Sequence, residues 1–187
     1  MGRFTKFSAV LYPDCESHCN AFKTLDAVAA GGGLTYCRIL HDRDVDSESC
    51  ELKKPHWHVL ISTDKQTSFD ELGALLGIES RLFENCRKFQ SACAYLVHRN
   101  NPDKFQYSLD SITGPMADDV RDIIARVKID DNIAAMQIFN FIENYPVYQR
   151  ISYTDITRWA LQNGYYGSLR RMGYILSQLI LEHNQSI

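Results

Sequence analysis

The stretch Pro55-His56-Trp57-His58-Val59-Leu60-Ile61-Ser62 decides how this chain is expected to fold. Successive side chains of a β-strand point to opposite faces, so His56 and His58 project the same way. The opposite face is apolar and carries Trp57, Val59 and Ile61. Proline is tolerated at the first position of a strand, which is where Pro55 stands. The stretch therefore predicts a strand with two imidazoles side by side.

Strands and helices alternate on both sides of this stretch. Further strands are predicted at Arg3–Tyr12, Leu34–His41, Arg81–Lys88 and Phe105–Ser108. Helices are predicted at Ser17–Ala30, Ser68–Leu76 and Gln90–His98. Asp42–Lys54 is polar, acidic and aperiodic, and so should be a loop. The order β-α-β-β-α-β predicts an α+β fold, an antiparallel sheet with helices on one face.

The pattern becomes wholly helical after Gly114-Pro115. Apolar spacing predicts helices at Asp118–Val127, Ile133–Ile142, Thr154–Leu161 and Ser168–Leu181. We therefore expect two domains, an α+β domain over residues 1–114 and a small all-α domain over residues 115–187.

Composition is that of an ordinary globular protein, with 45% hydrophobic and 23% charged residues. A net charge of −3 argues against a sequence-blind DNA binder, which is normally basic. Neither a signal peptide nor a membrane span is evident, so we expect a soluble intracellular protein. Its six cysteines should be free thiols. Cys15, His18 and Cys19 lack a second pair at zinc-finger spacing and are not expected to bind zinc.

The strand predicted before the imidazole pair ends in His41-Asp42-Arg43-Asp44. If the two strands pair as neighbours, His41 and Asp44 lie near the face that carries His56 and His58. Mixed imidazole and carboxylate ligands suit Mn²⁺, Mg²⁺ or a similar divalent ion better than a thiolate-type structural site does.

Four motifs in this order resemble those of the HUH endonucleases, and among them the RepB-like plasmid initiators of rolling-circle replication. Phe7-Ser8-Ala9-Val10-Leu11-Tyr12-Pro13 is similar to the first-strand motif of that family, and His41-Asp42-Arg43-Asp44 to its His-Asp-Lys-Asp block. The metal motif of the family resembles Lys53-Lys54-Pro55-His56-Trp57-His58-Val59-Leu60. Its Tyr-Leu-Thr-His motif resembles Tyr95-Leu96-Val97-His98.

The resemblance implies a role for each matched residue. His41, Asp44, His56 and His58 would hold a divalent metal, Mn²⁺ or Mg²⁺, and Tyr95 would be the nucleophile. Tyr107 is the main alternative candidate for the nucleophile. Arg87, Lys88, Arg99 and Lys104 would contact DNA phosphates, although the basic run from Arg81 to Lys104, taken alone, is more typical of a solvated face. Some relatives have a lysine three positions after the tyrosine where this chain has His98, whose role stays open.

The function implied is that of a rolling-circle initiator in a bacterial cytoplasm. It would bind the double-strand origin and nick and rejoin one strand through a 5′-phosphotyrosine, leaving a 3′-OH primer for host helicase and polymerase. The alternatives are an HUH mobilisation relaxase or transposase, and a non-enzymatic DNA-binding regulator with a structural metal.

The helical tail has two interpretations. The resemblance and a large apolar content favour a homo-oligomer; the apolar residues are Ile133, Met136, Phe139, Trp159, Leu176, Leu179 and Ile180. The other interpretation is a DNA-binding helix-turn-helix at Thr154–Met172, with Arg170-Arg171 on the following helix.

Overall fold

Four antiparallel strands form one open sheet in the order β2-β3-β1-β4. The computed structural model describes residues 2–46, 48–127 and 131–185; Ser47, in the predicted loop, lies outside them, as do residues 128–130 and 186–187 of the predicted all-α domain. The elements of the sheet region are β1 (Phe4–Leu11), α1 (Glu16–Ala30), β2 (Leu34–His41), β3 (His56–Thr67), α2 (Phe69–Leu76), β4 (Phe83–Asn85), α3 (Phe89–Leu96) and α4 (Ala117–Arg126). The α+β class and the β-α-β-β-α-β order are confirmed.

Both faces of the sheet are covered, so the prediction of helices on one face alone was wrong. The first core lies between the sheet and helices α1 and α2, and includes Phe7, Leu25, Val59, Ile61 and Leu72. The second core lies between the opposite face and helices α3 and α4, and includes Ile39, Leu60, Leu96, Val120 and Ile124. Because β3 alternates, His56 and His58 share the face of Leu60 and point toward the second core.

The predicted strand at Phe105–Ser108 does not form, and that segment is irregular. The outer edge of β2 is met by Thr113 instead. Arg38 N–H donates to the Thr113 carbonyl at 2.8 Å, and Thr113 N–H donates back to the Arg38 carbonyl at 2.9 Å. The backbone and side chains of Phe105–Ser108 are thereby free to line the site described below.

Gly114 is a packing position within the first unit. Its φ of 111° suits glycine, and a Cβ there would lie 2.8 Å from the Tyr36 carbonyl oxygen. The tight approach lets Met116 N–H donate to the same carbonyl at 2.9 Å, which starts α4 against β2. The first compact unit, Met1–Val127, therefore continues past the expected boundary at Gly114 and includes α4.

The described residues of the second unit, Lys128–Ile187, form helices joined by turns and loops. Its elements are α5 (Asp131–Glu143), α6 (Tyr153–Gln162), α7 (Tyr166–Leu169) and α8 (Gly173–Gln185). The single helix predicted at Ser168–Leu181 is divided between α7 and α8, and Arg170-Arg171 lie in the turn between them rather than on a helix. Ile138, Ile142, Ile156, Leu169 and Leu176 form its core. Across the described residues, every helix is too short or too polar to cross a membrane.

Candidate active site

The pairing of β2 with β3 brings the predicted metal ligands together. His41 lies directly opposite His56, and Ile39 lies opposite His58, so three imidazoles gather at one end of the two strands. Asp44 follows β2 and turns back toward them. One ligand atom from each of His41, Asp44, His56 and His58 lies within 4.8 Å of all the others.

Backbone carbonyls fix which ring nitrogen carries the proton in two of these imidazoles. His41 Nε2 lies 2.7 Å from the Leu96 carbonyl oxygen, and His56 Nδ1 lies 2.8 Å from the Lys54 carbonyl oxygen. A carbonyl oxygen only accepts hydrogen bonds, so each of these nitrogens donates. The other nitrogen of each neutral ring then presents a free electron pair to Asp44 Oδ2, His41 Nδ1 at 3.2 Å and His56 Nε2 at 3.8 Å.

Burial keeps this cluster in the protonation state that binds cations. Burial lowers the pKa of His41, and burial together with His41 and His56 lowers the pKa of His58 to about 3. Burial opposes ionisation of Asp44, but His41, His98 and the Tyr107 hydroxyl outweigh it and hold the pKa of that carboxyl below its ordinary value. At neutral pH the imidazoles of His41 and His58 are therefore neutral and the Asp44 carboxylate is charged.

The donor set fits a divalent cation. The free electron pairs of the imidazole nitrogens repel the negatively charged carboxylate that they face. A cation bound among them removes that repulsion. Metal-binding histidines usually donate their second N–H to a carbonyl or carboxylate, as His41 and His56 do here. His41, Asp44, His56 and His58 are thus the residues that would hold such an ion.

Tyr107 supports Asp44 directly. Its hydroxyl donates to Asp44 Oδ1 at 3.0 Å and accepts from the Arg43 backbone N–H at 2.9 Å. The ring stacks on His41 with centroids 4.2 Å apart and planes 6° apart. Burial raises the pKa of Tyr107 to about 12. These contacts occupy the hydroxyl and orient the carboxylate.

Tyr95 stands at the rim of the cluster. It is half-buried on α3, whose Cys93 and Leu96 anchor the helix in the second core. Its ring centroid lies 5.4 Å from that of His58, and its hydroxyl accepts a hydrogen bond from Lys104 Nζ at 2.7 Å. Tyr95 and His58 also line a cavity of about 430 Å³ beside β1 and α3, together with Ser8, Val10, Tyr12 and Ala92.

The four predicted DNA contacts fall at the two ends of α3. Arg87 and Lys88 are exposed just before the helix starts. Arg99 follows its end and is half-buried, and Lys104 is exposed on the loop that covers Tyr95. An eight-residue helix is roughly 12 Å long, so the two pairs flank the candidate site rather than form one patch.

Two contributions to the site were not assigned from the sequence. One is the pair of backbone carbonyls that orient His41 and His56, because every residue has a carbonyl and only the fold selects those of Leu96 and Lys54. The other is His98, which stands among the imidazoles with no exposed surface. Its position in the Tyr-Leu-Val-His motif was the available signal.

Comparison with known proteins identifies the family of the chain. The chain is similar over 117 residues, at 25% identity, to the replication protein RepB of Lactiplantibacillus plantarum. The match covers 62% of this chain and 53% of that relative, so the chain spans about half the length of the curated relative it matches. Residues 1–121, which include every candidate site residue, match the family model described as "Plasmid replication protein, origin binding domain". The chain therefore belongs to the family of plasmid replication protein origin-binding domains.

Proposed function

We propose that this protein initiates plasmid rolling-circle replication by nicking one DNA strand at the origin, with Tyr95 as the nucleophile. The observation that carries the proposal is the placement of a half-buried tyrosine, Tyr95, at the rim of a cluster suited to a divalent cation. Membership of the origin-binding family supplies the class of substrate, origin DNA.

The reaction is a phosphoryl transfer to a phenol. The Tyr95 hydroxyl oxygen attacks the scissile phosphorus, the bond from phosphorus to the 3′ oxygen breaks, and a 5′-phosphotyrosine forms. The phenolic proton is lost and the departing 3′ oxygen gains one, which leaves a 3′-OH primer. An aryl ester has a good leaving group, so the same bond can be transferred back to DNA when the strand is rejoined.

Lys104 is placed to assist Tyr95. Its ammonium group donates to the phenol oxygen and lies 4.8 Å from the centre of the same ring. A positive charge at this distance stabilises the phenolate that must develop during attack. An ion held by the four ligands, Mn²⁺ or Mg²⁺, would polarise the scissile phosphate and neutralise its developing charge.

The contacts of the two candidate tyrosines favour Tyr95 over Tyr107. The Tyr107 hydroxyl is already committed to Asp44 and to the Arg43 backbone, and moving it would release the carboxylate. The Tyr95 hydroxyl meets a flexible lysine and opens on the cavity. A single DNA strand that enters that cavity would bring a phosphate to Tyr95. Arg87, Lys88 and Arg99 would contact the adjacent phosphates of the strand. Such contacts position a strand without reading its sequence.

Incubation with labelled single-stranded origin DNA and Mn²⁺ tests the proposal. We expect a covalent protein–DNA adduct that survives denaturant, no adduct with Tyr95→Phe, and an adduct with Tyr107→Phe. Adduct formation by Tyr95→Phe but not by Tyr107→Phe would transfer the nucleophile to Tyr107. A wild-type protein that binds the origin DNA and metal but never forms an adduct would instead indicate a DNA-binding regulator with a structural metal.

The second unit is proposed to hold copies of the protein together on the origin. Large apolar side chains stay exposed on it, including Val147 at 71%, Tyr148 at 76% and Tyr174 at 80%. Exposed apolar groups of this kind are common at subunit interfaces. A host helicase and polymerase would then extend the primer. The match to a plasmid replication family favours this function over that of a mobilisation relaxase or a transposase.

A further inference from the structure

His98 is a buried histidine that the four-ligand site does not use. Its exposed fraction is 0%, and its backbone has a φ of 56°, in the left-handed region that non-glycine residues rarely adopt. Strained backbone of this kind persists where the surrounding structure holds it, and it is often found at functional sites.

We infer that His98 belongs to the metal centre as a hydrogen-bond acceptor, with an unprotonated Nε2 directed at the hydration of the ion held by the four ligands. The inference rests on the metal site of the proposed function. It extends that site by one residue, for which the matched motif assigns no role.

The tautomer of His98 follows from its hydrogen bond. Nδ1 lies 2.8 Å from the Phe105 carbonyl oxygen, so Nδ1 carries the proton and donates it. The neutral ring has one N–H, which leaves a free electron pair on Nε2. Phe105 belongs to the irregular segment that was expected to be a strand, and its carbonyl is available because no strand partner takes it.

His98 Nε2 makes no hydrogen bond with any of the described residues. It lies 3.8 Å from Asp44 Oδ2, the same separation as between His56 Nε2 and that oxygen. The His98 ring centroid is 4.6 Å from that of His41 and 5.2 Å from that of Tyr95. A buried acceptor that no protein group satisfies calls for an ion or an ordered water as its partner.

His98 is not one of the four residues whose ligand atoms lie within 4.8 Å of one another. We therefore place it behind the four ligands, where it interacts with the hydration of the ion and does not replace a ligand. Residues at this distance typically change metal affinity 10–100-fold when they are replaced.

The test is Mn²⁺ titration calorimetry on the full chain without DNA, comparing wild type with His98→Asn. Asparagine tolerates the left-handed backbone, and its amide N–H can replace Nδ1–H toward Phe105, but it has no atom in place of Nε2. We expect Mn²⁺ affinity to fall about 10–100-fold. His183→Asn, in the second unit, is the matched control and should bind Mn²⁺ as the wild type does.

An unchanged Mn²⁺ affinity in a folded His98→Asn variant would overturn the inference. If the variant fails to fold, ¹⁵N-histidine NMR of the metal-free wild type decides: His98 should have its proton on Nδ1, and a proton on Nε2 would overturn the inference. Neither measurement depends on DNA cleavage. If the wild type binds Mn²⁺ but never forms a DNA adduct, the proposed nicking function is wrong and the inference on His98 stands. If the wild type does not bind Mn²⁺, both the proposed function and the inference on His98 are wrong.

Discussion

Replacing Asp44 with asparagine should separate metal binding from fold stability. The substitution keeps the shape of the side chain and an Oδ1 that can still accept from Tyr107. It replaces Oδ2 with an amide NH₂ group that can donate a hydrogen bond to His41 Nδ1. In the wild type, Oδ2 lies 3.2 Å from that nitrogen. In the metal-free protein one N–H···N hydrogen bond is thus gained where two electron pairs faced each other.

The magnitudes follow from these contacts. The gained neutral hydrogen bond contributes about 1 kcal/mol to the free energy of unfolding, and the loss of the charged carboxylate that its neighbours stabilise opposes it, so the metal-free variant should be about as stable as the wild type. Mn²⁺ at one hundred times its Kd should stabilise the wild type by about 2.7 kcal/mol. The variant should lose most of that increment, because the anionic ligand is gone.

Thermal unfolding in EDTA and in Mn²⁺ measures both effects on the same samples. We expect the Tm of Asp44→Asn in EDTA to be close to that of the wild type, and its Mn²⁺-induced rise in Tm to be small. A metal-free variant that is clearly less stable than the wild type would refute the reasoning. That result would mean that Asp44 is paired with a protonated His41, as in a structural ion pair.

Three other substitutions test neighbouring parts of the site and fold. Tyr107→Phe should weaken Mn²⁺ binding about 10-fold while still forming the DNA adduct, because it frees Asp44 and leaves the nucleophile in place; calorimetry and the adduct gel check this. Lys104→Gln should slow adduct formation more than Lys104→Arg does, since only arginine keeps a positive charge beside Tyr95; single-turnover rates measure the difference. Gly114→Ala should lower the free energy of unfolding by on the order of 1–3 kcal/mol, because the added Cβ would meet backbone atoms of β2. The control is Gly32→Ala, whose Cβ would meet nothing within 4 Å and which should lower it by only about 1 kcal/mol. Urea denaturation measures both.

The sequence predicted those parts of the fold that depend on local periodicity. Alternation located β1 and β2 to within a residue or so, and the helix predicted from Ser68 forms as α2, where Ser68 and Glu71 make a capping box. Phe105–Ser108 was assigned to a strand because its composition suits one. Whether a segment pairs depends on a free sheet edge, and Thr113 occupies that edge.

The candidate site was predictable as a set of residues but not as an arrangement. His56 and His58 share a face by strand geometry alone, and His41 joins them once the two strands pair. Tyr107 was considered as a rival nucleophile, and its contact with Asp44 spans 63 positions of sequence that no local pattern connects. The second helical layer over this face was missed for the same reason, since α4 packs on β2 only because Gly114 allows a close approach.

The opposition of His41 and His56 in the β2–β3 register has a consequence for folding. A slip of one residue in β3 would turn both of its imidazoles into the apolar core beneath α1 and bring Trp57 out among the ligands. An ion held by the four ligands would therefore favour alignments that keep both imidazoles on this face, and its binding energy would disfavour a one-residue slip. The centre proposed for catalysis would also help to select the native register of β2 and β3. Removing the metal ion with a chelator during refolding should therefore increase the fraction of molecules with misaligned strands.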